Sequence, residues 1–523
     1  AERGATCARY LALRARPPAA PARAELGPKD ADFPPVLVQL PMFNERAVCV
    51  DLIRCACALD WPAGRLWVQV LDDSTCSATR ALVDGEAARQ AERGVRIEVA
   101  RRARRQGYKA GALKAGLEAW AARGEWRGAA PSQRRAFVAI FDADFRPRPG
   151  FLLDTVPYLV ADPNRSYVQA RWTFSNPNES LLTKVQELTL NWHVKCEQAV
   201  GSATGHFFNF NGTAGVWALD AIEAAGGWDH RTTTEDMDLS LRAYLQGYRG
   251  LFLEDVTCQN ELPSSFFAYR KQQHRWSCGP MQLWHKAGPA VWRAKGVKPL
   301  DKLHIWFCYF GLRKFGCHFV ALVFFCLLVP LSIWVPGLHV PFWALVYVPL
   351  FTSICTAAFT RRGLLHCVTY VLLENAMCLV RAWAVVCGIL NLPRANEWVV
   401  TTKFGDRGQA LAPEGAAPAA AAGGVGLMSR MRFSFKVDRV YAAEVLMSTF
   451  VLLSALYGVF MVNRWDLSIF LVMQGLAFAA MGLNLVDFDA PLGQGSMDMA
   501  VFGFPAVKAE PEGKITRMKS SPF

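Results

Sequence analysis

Between residues 34 and 150, short apolar runs alternate with segments of mixed polarity. Val36-Leu37-Val38-Gln39-Leu40, Trp67-Val68-Gln69-Val70-Leu71, Val95-Arg96-Ile97-Glu98-Val99 and Phe137-Val138-Ala139-Ile140-Phe141 read as strands. Segments 45–59, 77–93 and 109–122 read as helices, the first with Asn44 as a candidate N-cap. Segment 121–135, with Gly, Arg, Pro and Ser, reads as a loop. This alternation predicts an α/β domain with a mostly parallel sheet and helices on both faces. Such sheets bind ligands at the carboxyl ends of their strands. Two of the four strands end in acids there, Asp72-Asp73 and Asp142-Ala143-Asp144.

Beyond residue 300 the pattern changes. Segments 305–329, 340–359, 441–463 and 466–485 are apolar over the roughly 20 residues a bilayer crossing needs. Segment 364–391 has similar length but carries Glu374, Asn375 and Arg381. Isolated charges at a bilayer centre are costly, so this segment reads as an amphipathic helix at the interface. The expected organisation is a linker over 1–33, a soluble domain over 34–300 and membrane-associated segments over 301–405. A linker over 406–436, two further spans within 437–487 and a tail over 488–523 follow. Residue 1 is not Met, and an N-terminal anchor is expected to precede it.

Composition agrees with this division. Apolar residues make up 52% and charged residues 19%, where a soluble domain carries about a quarter charged residues. A disordered chain, a coiled coil and an ordinary soluble enzyme are excluded. The net charge of +13 is concentrated beside the apolar segments, as the positive-inside rule and anionic headgroups favour. No nucleic-acid-binding pattern is present, and the run Arg101-Arg102-Ala103-Arg104-Arg105 reads as a surface loop. Of fifteen cysteines, Cys55 and Cys57 are too close in sequence for a zinc pair. Cys308, Cys317, Cys326, Cys355, Cys378 and Cys387 sit in apolar runs as packing residues. Nothing in the sequence specifies an oligomeric state.

Several motifs can carry chemistry. Paired carboxylates at strand ends can hold a divalent cation or bond a nucleotide, although Asp is common where any strand turns into a loop. Gly107-Tyr108-Lys109 opens a helix, where a Lys suits a phosphate; taken alone, a solvated Lys is the better account. Thr232-Thr233-Thr234-Glu235-Asp236 satisfies the ordinary preferences of a helix start, and it also offers a general base. Gln272, Arg275 and Trp276 fall on one helical face. Arg suits a diphosphate and Trp a sugar ring, while both residue types also belong at a headgroup layer.

In this order, Asp-Asp, Asp-x-Asp, Thr-Glu-Asp and Gln-x-x-Arg-Trp resemble the processive family 2 glycosyltransferases, the group of cellulose, chitin and hyaluronan synthases. The stretches Gln39-Leu40-Pro41-Met42-Phe43-Asn44-Glu45, Val70-Leu71-Asp72-Asp73-Ser74-Thr75, Asn211-Gly212-Thr213-Ala214-Gly215-Val216-Trp217 and Tyr269 to Trp276 resemble the cellulose synthase-like A and C families of plants and green algae. The resemblance implies a GT-A domain followed by transmembrane helices in Golgi membranes. It implies β-1,4-mannan or glucomannan synthesis from GDP-mannose and GDP-glucose, or, on the C-family side, a β-1,4-glucan from UDP-glucose. Carried over, Asp72 or Asp73 contacts the nucleotide base and Asp236 is the base that activates the acceptor. Asp142 and Asp144 hold Mg²⁺ or Mn²⁺. Glu45, Lys109, Gln272 and Arg275 face the donor, and Glu235 and Trp276 the growing β-1,4-glycan acceptor. Trp398, Val400, Thr401 and Lys403 match a gating loop over the donor. Cys76, Thr234 and Trp398 depart from the usual acid, Val and Phe.

A gate on the catalytic side requires an even number of crossings before residue 398. Four spans with segment 364–391 at the interface meet that condition. They also place Arg361, Arg362, Lys403, Arg430, Arg432 and Lys436 on the cytosolic side. A lipid-carrier glycosyltransferase shares the acid clusters but is not expected to carry Gln-x-x-Arg-Trp or this many spans. A membrane channel leaves the acidic strand ends unexplained.

Overall fold

The computed structural model describes residues 2–16, 20–27, 29–124, 135–341, 343–348, 351, 364–392 and 440–486. A seven-stranded sheet of order β3-β2-β1-β4-β6-β5-β7 organises the N-terminal domain. β1 (Val36–Met42), β2 (Leu66–Asp72), β3 (Ile97–Ala100) and β4 (Phe137–Ile140) are parallel. β6 (Gly215–Ala218) runs antiparallel to both β4 and β5 (Arg165–Phe174), and β7 (Arg249–Asn260) lies parallel to β5. Every residue of β1, β2 and β4 is buried, which is why these strands read as nearly continuous apolar runs.

The helices of this domain are α1 (Glu2–Ala15), α2 (Cys49–Cys57), α3 (Ser77–Glu92), α4 (Tyr108–Arg123), α5 (Val156–Ala161), α6 (Leu181–Trp192), α7 (Gln198–Thr204), α8 (Leu219–Ala224), α9 (Glu235–Leu245) and α10 (Phe266–Arg293). Alternate residues of β1 feed two cores. Val36, Val38 and Leu40 join Leu52, Ile53 and Val83, while Leu37 joins Leu113, Leu117, Ile222 and Leu239. Two polar residues cross this apolar interior. Gln39 donates to Gln69 Oε1 (2.9 Å), and Gln69 donates to the carbonyl of Gly116 (3.0 Å). A Cβ at Gly116 would stand 2.2 Å from Gln69 Oε1. Glycine therefore lets α4 approach the sheet closely, and this seats Lys109.

Three sequence expectations change. Residues 1–33 are not all linker: Glu2–Ala15 is helical, and Cys7 and Tyr10 bury against Trp192, Cys196 and Val200. Ala, Leu and Arg are good helix formers, so a composition that reads as a linker becomes a helix once an apolar i, i+3 pair finds a surface. Asn44 is not an N-cap. Helix α2 starts at Cys49, and Asn44 adopts φ 55°, a conformation Asn tolerates better than most residues. Its side-chain oxygen accepts from the Thr75 and Cys76 amides (2.9 and 3.0 Å), tying the β1 loop to the β2 loop. Third, segment 364–391 is two helices, Leu364–Ala376 and Cys378–Ile389, bent by 44° at their break.

Pro299–Trp334, Ala442–Phe460 and Trp465–Gly482 are long and apolar enough to cross a bilayer. Most of expected span 340–359, gating residues Trp398, Val400, Thr401 and Lys403, linker 406–436 and tail 488–523 lie outside the described residues. Across the bent pair, Arg381 donates to both oxygens of Glu374 (2.5 and 2.9 Å) and to Gln273 Oε1 of α10 (2.9 and 3.1 Å). The two charges that argued against burial thus satisfy each other inside the protein. Packing on α10, not bare charge, governs where this segment sits.

Arg381→Met takes the guanidinium away from partly buried Glu374, a change that costs about 3–5 kcal/mol. Its unfolding midpoint in detergent is expected well below that of the parent protein, and adding Glu374→Gln should restore much of the loss. Thermal unfolding followed by tryptophan fluorescence measures both; an unchanged midpoint for the single variant counts against the pair's importance.

Candidate active site

The carboxyl ends of β1, β2 and β4 open into a cleft with about 1180 Å³ of free space, open to solvent. Its walls come from the β1 loop with Phe43 and Glu45, from Asp73, Asp142 and Asp144, and from the 211–213 turn before β6. Residues 233–236, residues 260–263 after β7, and Gln272, Arg275 and Trp276 of α10 complete it.

Lys109 is the centre of its electrostatics. Gly107 (φ 71°) starts α4, and the Lys109 ammonium donates to Asp142 Oδ1 (2.5 Å) and to the Gly212 carbonyl (3.0 Å). Burial pulls this ammonium down, but Asp142 and Glu235 outweigh it and hold its pKa above the usual lysine value. Gly212 has φ 83°, and a Cβ there would stand 3.0 Å from Asp236 Oδ2. The turn is therefore glycine for two reasons, its backbone conformation and its closeness to a reactive carboxylate. Lys109 binds a carboxylate here, not open solvent.

Glu235 and Asp236 begin α9. Glu235 is 4% exposed, whereas Asp236 is only partly buried. Burial pushes Asp236 up to about 6, with Lys109 pulling the other way. Burial, then the neighbouring Asp236 charge, pushes Glu235 up to about 7. Both line the cleft, and Asp236 is the more exposed of the two. Its Oδ1 accepts from the Met237 amide (2.7 Å). One turn on, buried Asp238 is clamped by Arg231 (2.5 Å) and Arg242 (3.0 Å), which fixes the helix start.

Helix α10 meets this segment closely. A Cβ at Gly279 would lie 2.4 Å from Thr234 Cγ2, and Gln282 Oε1 accepts from the Thr233 amide (3.1 Å). That contact sets how far along the cleft Gln272, Arg275 and Trp276 reach.

The paired acids after β2 separate. Asp72 is wholly buried, accepting from Arg101 (2.8 Å) and the Ser74 amide (3.0 Å), and does not line the cleft. Asp73 does line it, gripped by Arg102 through both oxygens (2.5 and 3.0 Å). The run 101–105 lies at the surface as expected, with Arg101, Ala103 and Arg104 exposed, but its charges are not all left to solvent. Two of its arginines neutralise the strand-end acids, and Arg105 is itself in the cleft wall.

Of the expected site residues that are described, all except Asp72 come together in the cleft. Others were not visible in the sequence as site residues: Arg105, Trp172, Asn211, Asn260 and Glu261. Arg105 Nε, Trp172 Nε1, Asn211 Nδ2, Thr234 Oγ1 and Asn260 Oδ1 are buried and make no hydrogen bond among the described residues. Five such atoms around one cleft are a signature of a polar ligand's place. Asn211 stood in a stretch carrying the family resemblance; Trp172 and Asn260 belong to strands with no local chemical signal.

No group of three or more metal-binding side chains occurs among the described residues. Asp142 and Asp144 nevertheless offer an oxygen-only pair facing the cleft. Mg²⁺ is commonly held by one or two carboxylates plus substrate phosphates, so the pair fits such an ion.

A mixed sheet with strand-end acids, an ionisable carboxylate and a polar cleft defines a nucleotide-sugar transferase fold. Residues 38–211 match the family described as Glycosyl transferase family 2, and residues 137–390 match Glycosyl transferase family group 2. The chain is 42% identical over 465 residues to a probable glucomannan 4-beta-mannosyltransferase 11 of Oryza sativa subsp. japonica, covering 88% of this chain and 80% of that protein. It is 42% identical over 468 residues to glucomannan 4-beta-mannosyltransferase 2 of Arabidopsis thaliana, covering 89% and 83%. The corresponding enzyme 1 of Cyamopsis tetragonoloba is 41% identical over 459 residues, covering 88% and 83%. A Pyrobaculum calidifontis mannosyltransferase solved with GDP-Man and Mn²⁺ is 18% identical, covering 75% of this chain and 96% of that one, at a TM-score of 0.46. That likeness is too distant to carry any inference. The chain belongs to the glucomannan 4-beta-mannosyltransferase family of membrane glycosyltransferases.

An ionised Asp236 is needed to accept a proton. With its pKa raised to about 6, the carboxyl is protonated below that value, so kcat/KM should rise through pH 6 and level off above 7. Asp236→Asn should lower turnover about 100- to 10,000-fold while nucleotide affinity stays near that of the parent. Sugar-transfer assays across pH, with nucleotide binding measured in parallel, check both; near-normal turnover in the variant refutes the assignment.

Proposed function

We propose that this enzyme is a processive, inverting glycosyltransferase of Golgi membranes. It extends a β-1,4-linked mannan or glucomannan backbone from GDP-mannose and GDP-glucose. The observation that carries the reading is the 42% identity, over 88% of the chain, with glucomannan 4-beta-mannosyltransferases.

In this reading the acceptor's 4-hydroxyl attacks the anomeric carbon from the face opposite the diphosphate. Asp236 takes the hydroxyl proton, the carbon–oxygen bond to the diphosphate breaks, and configuration inverts. Lys109, Gln272 and Arg275 bind the departing diphosphate, supplying charge at fixed positions and so little reorganisation. Trp276 and Glu235 hold the acceptor ring and orient its hydroxyl. Asp142 and Asp144 would hold Mg²⁺ or Mn²⁺, which when bound neutralises charge building up on the leaving diphosphate. Trp398, Val400, Thr401 and Lys403 cover the donor, and the catalytic domain faces the cytosol. The polymer leaves through the membrane segments.

The test incubates the protein in nanodiscs with GDP-mannose, GDP-mannose plus GDP-glucose, or UDP-glucose. A β-mannanase-sensitive polymer from the GDP-sugars is expected. Its formation should stop in EDTA and return with Mg²⁺ or Mn²⁺. Polymer from UDP-glucose alone, or a single mannose on a lipid, overturns the donor and product reading, and full activity under chelation overturns the metal.

A further inference from the structure

Four arginines follow β3 within five residues, and three of them, Arg101, Arg102 and Arg105, do different things. Arg101 and Arg102 are consumed by Asp72 and Asp73. Arg102 also donates to the carbonyls of Gln106 (2.7 Å) and Tyr108 (2.8 Å). With Gly107 and Tyr108 both at positive φ (71° and 46°), the loop is pinned at one end and sharply bent at the other. Arg105 is left between these anchors, and its guanidinium lies 3.6 Å from the centroid of the Phe43 ring and 5.2 Å from that of Tyr108. Arg105 Nε is buried, makes no hydrogen bond among the described residues and stands 3.8 Å from Asp73 Oδ2.

The position is informative. In strand order β3-β2-β1-β4, Asp142 follows β4, whereas Asp73 and Arg105 follow β2 and β3. A nucleotide with its diphosphate at Lys109 and Asp142 therefore extends its base toward Phe43, Asp73 and Arg105. Stacking on Phe43 fixes the plane of the guanidinium, so its hydrogen-bonding fork is preset.

Resting on the nucleotide-sugar reading above, we propose that Arg105 reads the donor's nucleobase, and that the base it fits is guanine. Guanine presents two adjacent acceptors, O6 and N7, which a guanidinium takes bidentately. Its neighbouring edge presents N1–H and N2–H donors. A carboxylate has about four lone-pair sites, and Arg102 occupies one on each Asp73 oxygen, so Asp73 can still accept from that edge. Uracil offers no comparable acceptor pair: its two carbonyls flank a single N–H.

The test measures binding of GDP, 7-deaza-GDP and UDP to the full chain in detergent, for the parent protein and for Arg105→Met and Arg105→Lys. Methionine keeps an apolar stem on Phe43. The parent should bind GDP more tightly than UDP and lose affinity for 7-deaza-GDP, which lacks N7. Arg105→Met should lose about 5- to 150-fold in GDP affinity, the range for one bidentate base contact, and should no longer distinguish GDP from 7-deaza-GDP. Lysine should recover only part. If the parent binds 7-deaza-GDP as tightly as GDP, the inference falls whatever the variants do. If GDP binds well and Arg105→Met binds it equally, the inference falls while the donor reading stands. If UDP binds and GDP does not, the donor reading falls and takes this inference with it.

Discussion

A buried lysine makes this cleft possible. Asp142, Glu235 and Asp236 converge within the field of one ammonium, Lys109. Carboxylates gathered out of water repel one another and lose hydration, so without a cation they would protonate or move apart. Lys109 reaches them because α4 packs hard on the sheet at Gly116 and because the 211–213 turn is glycine where Asp236 passes. Lys109 thus offsets the repulsion among these acids, and the Arg275 guanidinium adds a second cation beside the same three carboxylates. The arrangement also leaves the first two acids of α9 unequal, Glu235 buried and Asp236 more exposed.

Helix α10 connects that cleft to the membrane. Gln272, Arg275 and Trp276 look into the cleft, while Gln273 meets Arg381 and Arg270 pairs with Glu444 and stacks on Tyr441 (3.9 Å). One face therefore lines the cleft and the other is bonded to residues 108 and 174 positions later in the chain. The close crossing at Gly279 sets the helix against the Thr-Glu-Asp segment. Because α10 is one continuous 28-residue element, it joins the cleft-lining Gln272, Arg275 and Trp276 to the C-terminal apolar helices.

Basic residues account for much of the net charge, yet their duties diverge sharply over short distances. Arg101 and Arg102 hold carboxylates and a loop, Arg105 lies on an aromatic ring, and Arg231 and Arg242 clamp Asp238. Charge pattern alone assigns such residues to solvent. Burial beside an acid is a three-dimensional fact.

Much was determined by the sequence itself. The largely apolar runs of β1, β2 and β4 marked buried parallel strands, the acids after β2 and β4 marked the cleft, and the ordered motifs marked the family. These signals are local: strand periodicity and residue type within a few positions suffice. What only tertiary structure decided depends on partners far apart in the chain. The antiparallel β6 and the β5–β7 pair were not visible from short-range patterning. Neither was the choice of Asp73 over Asp72 for the cleft wall, since that depends on arginines 29 residues away. Asn44 looked like a cap until the β2 loop claimed its side chain. Glu374 and Arg381 counted as isolated charges too costly for a bilayer centre, whereas across the bend between their helices they pair. In each case the deciding term is a pairing of charges or hydrogen bonds whose energy exists only once the chain has folded back on itself.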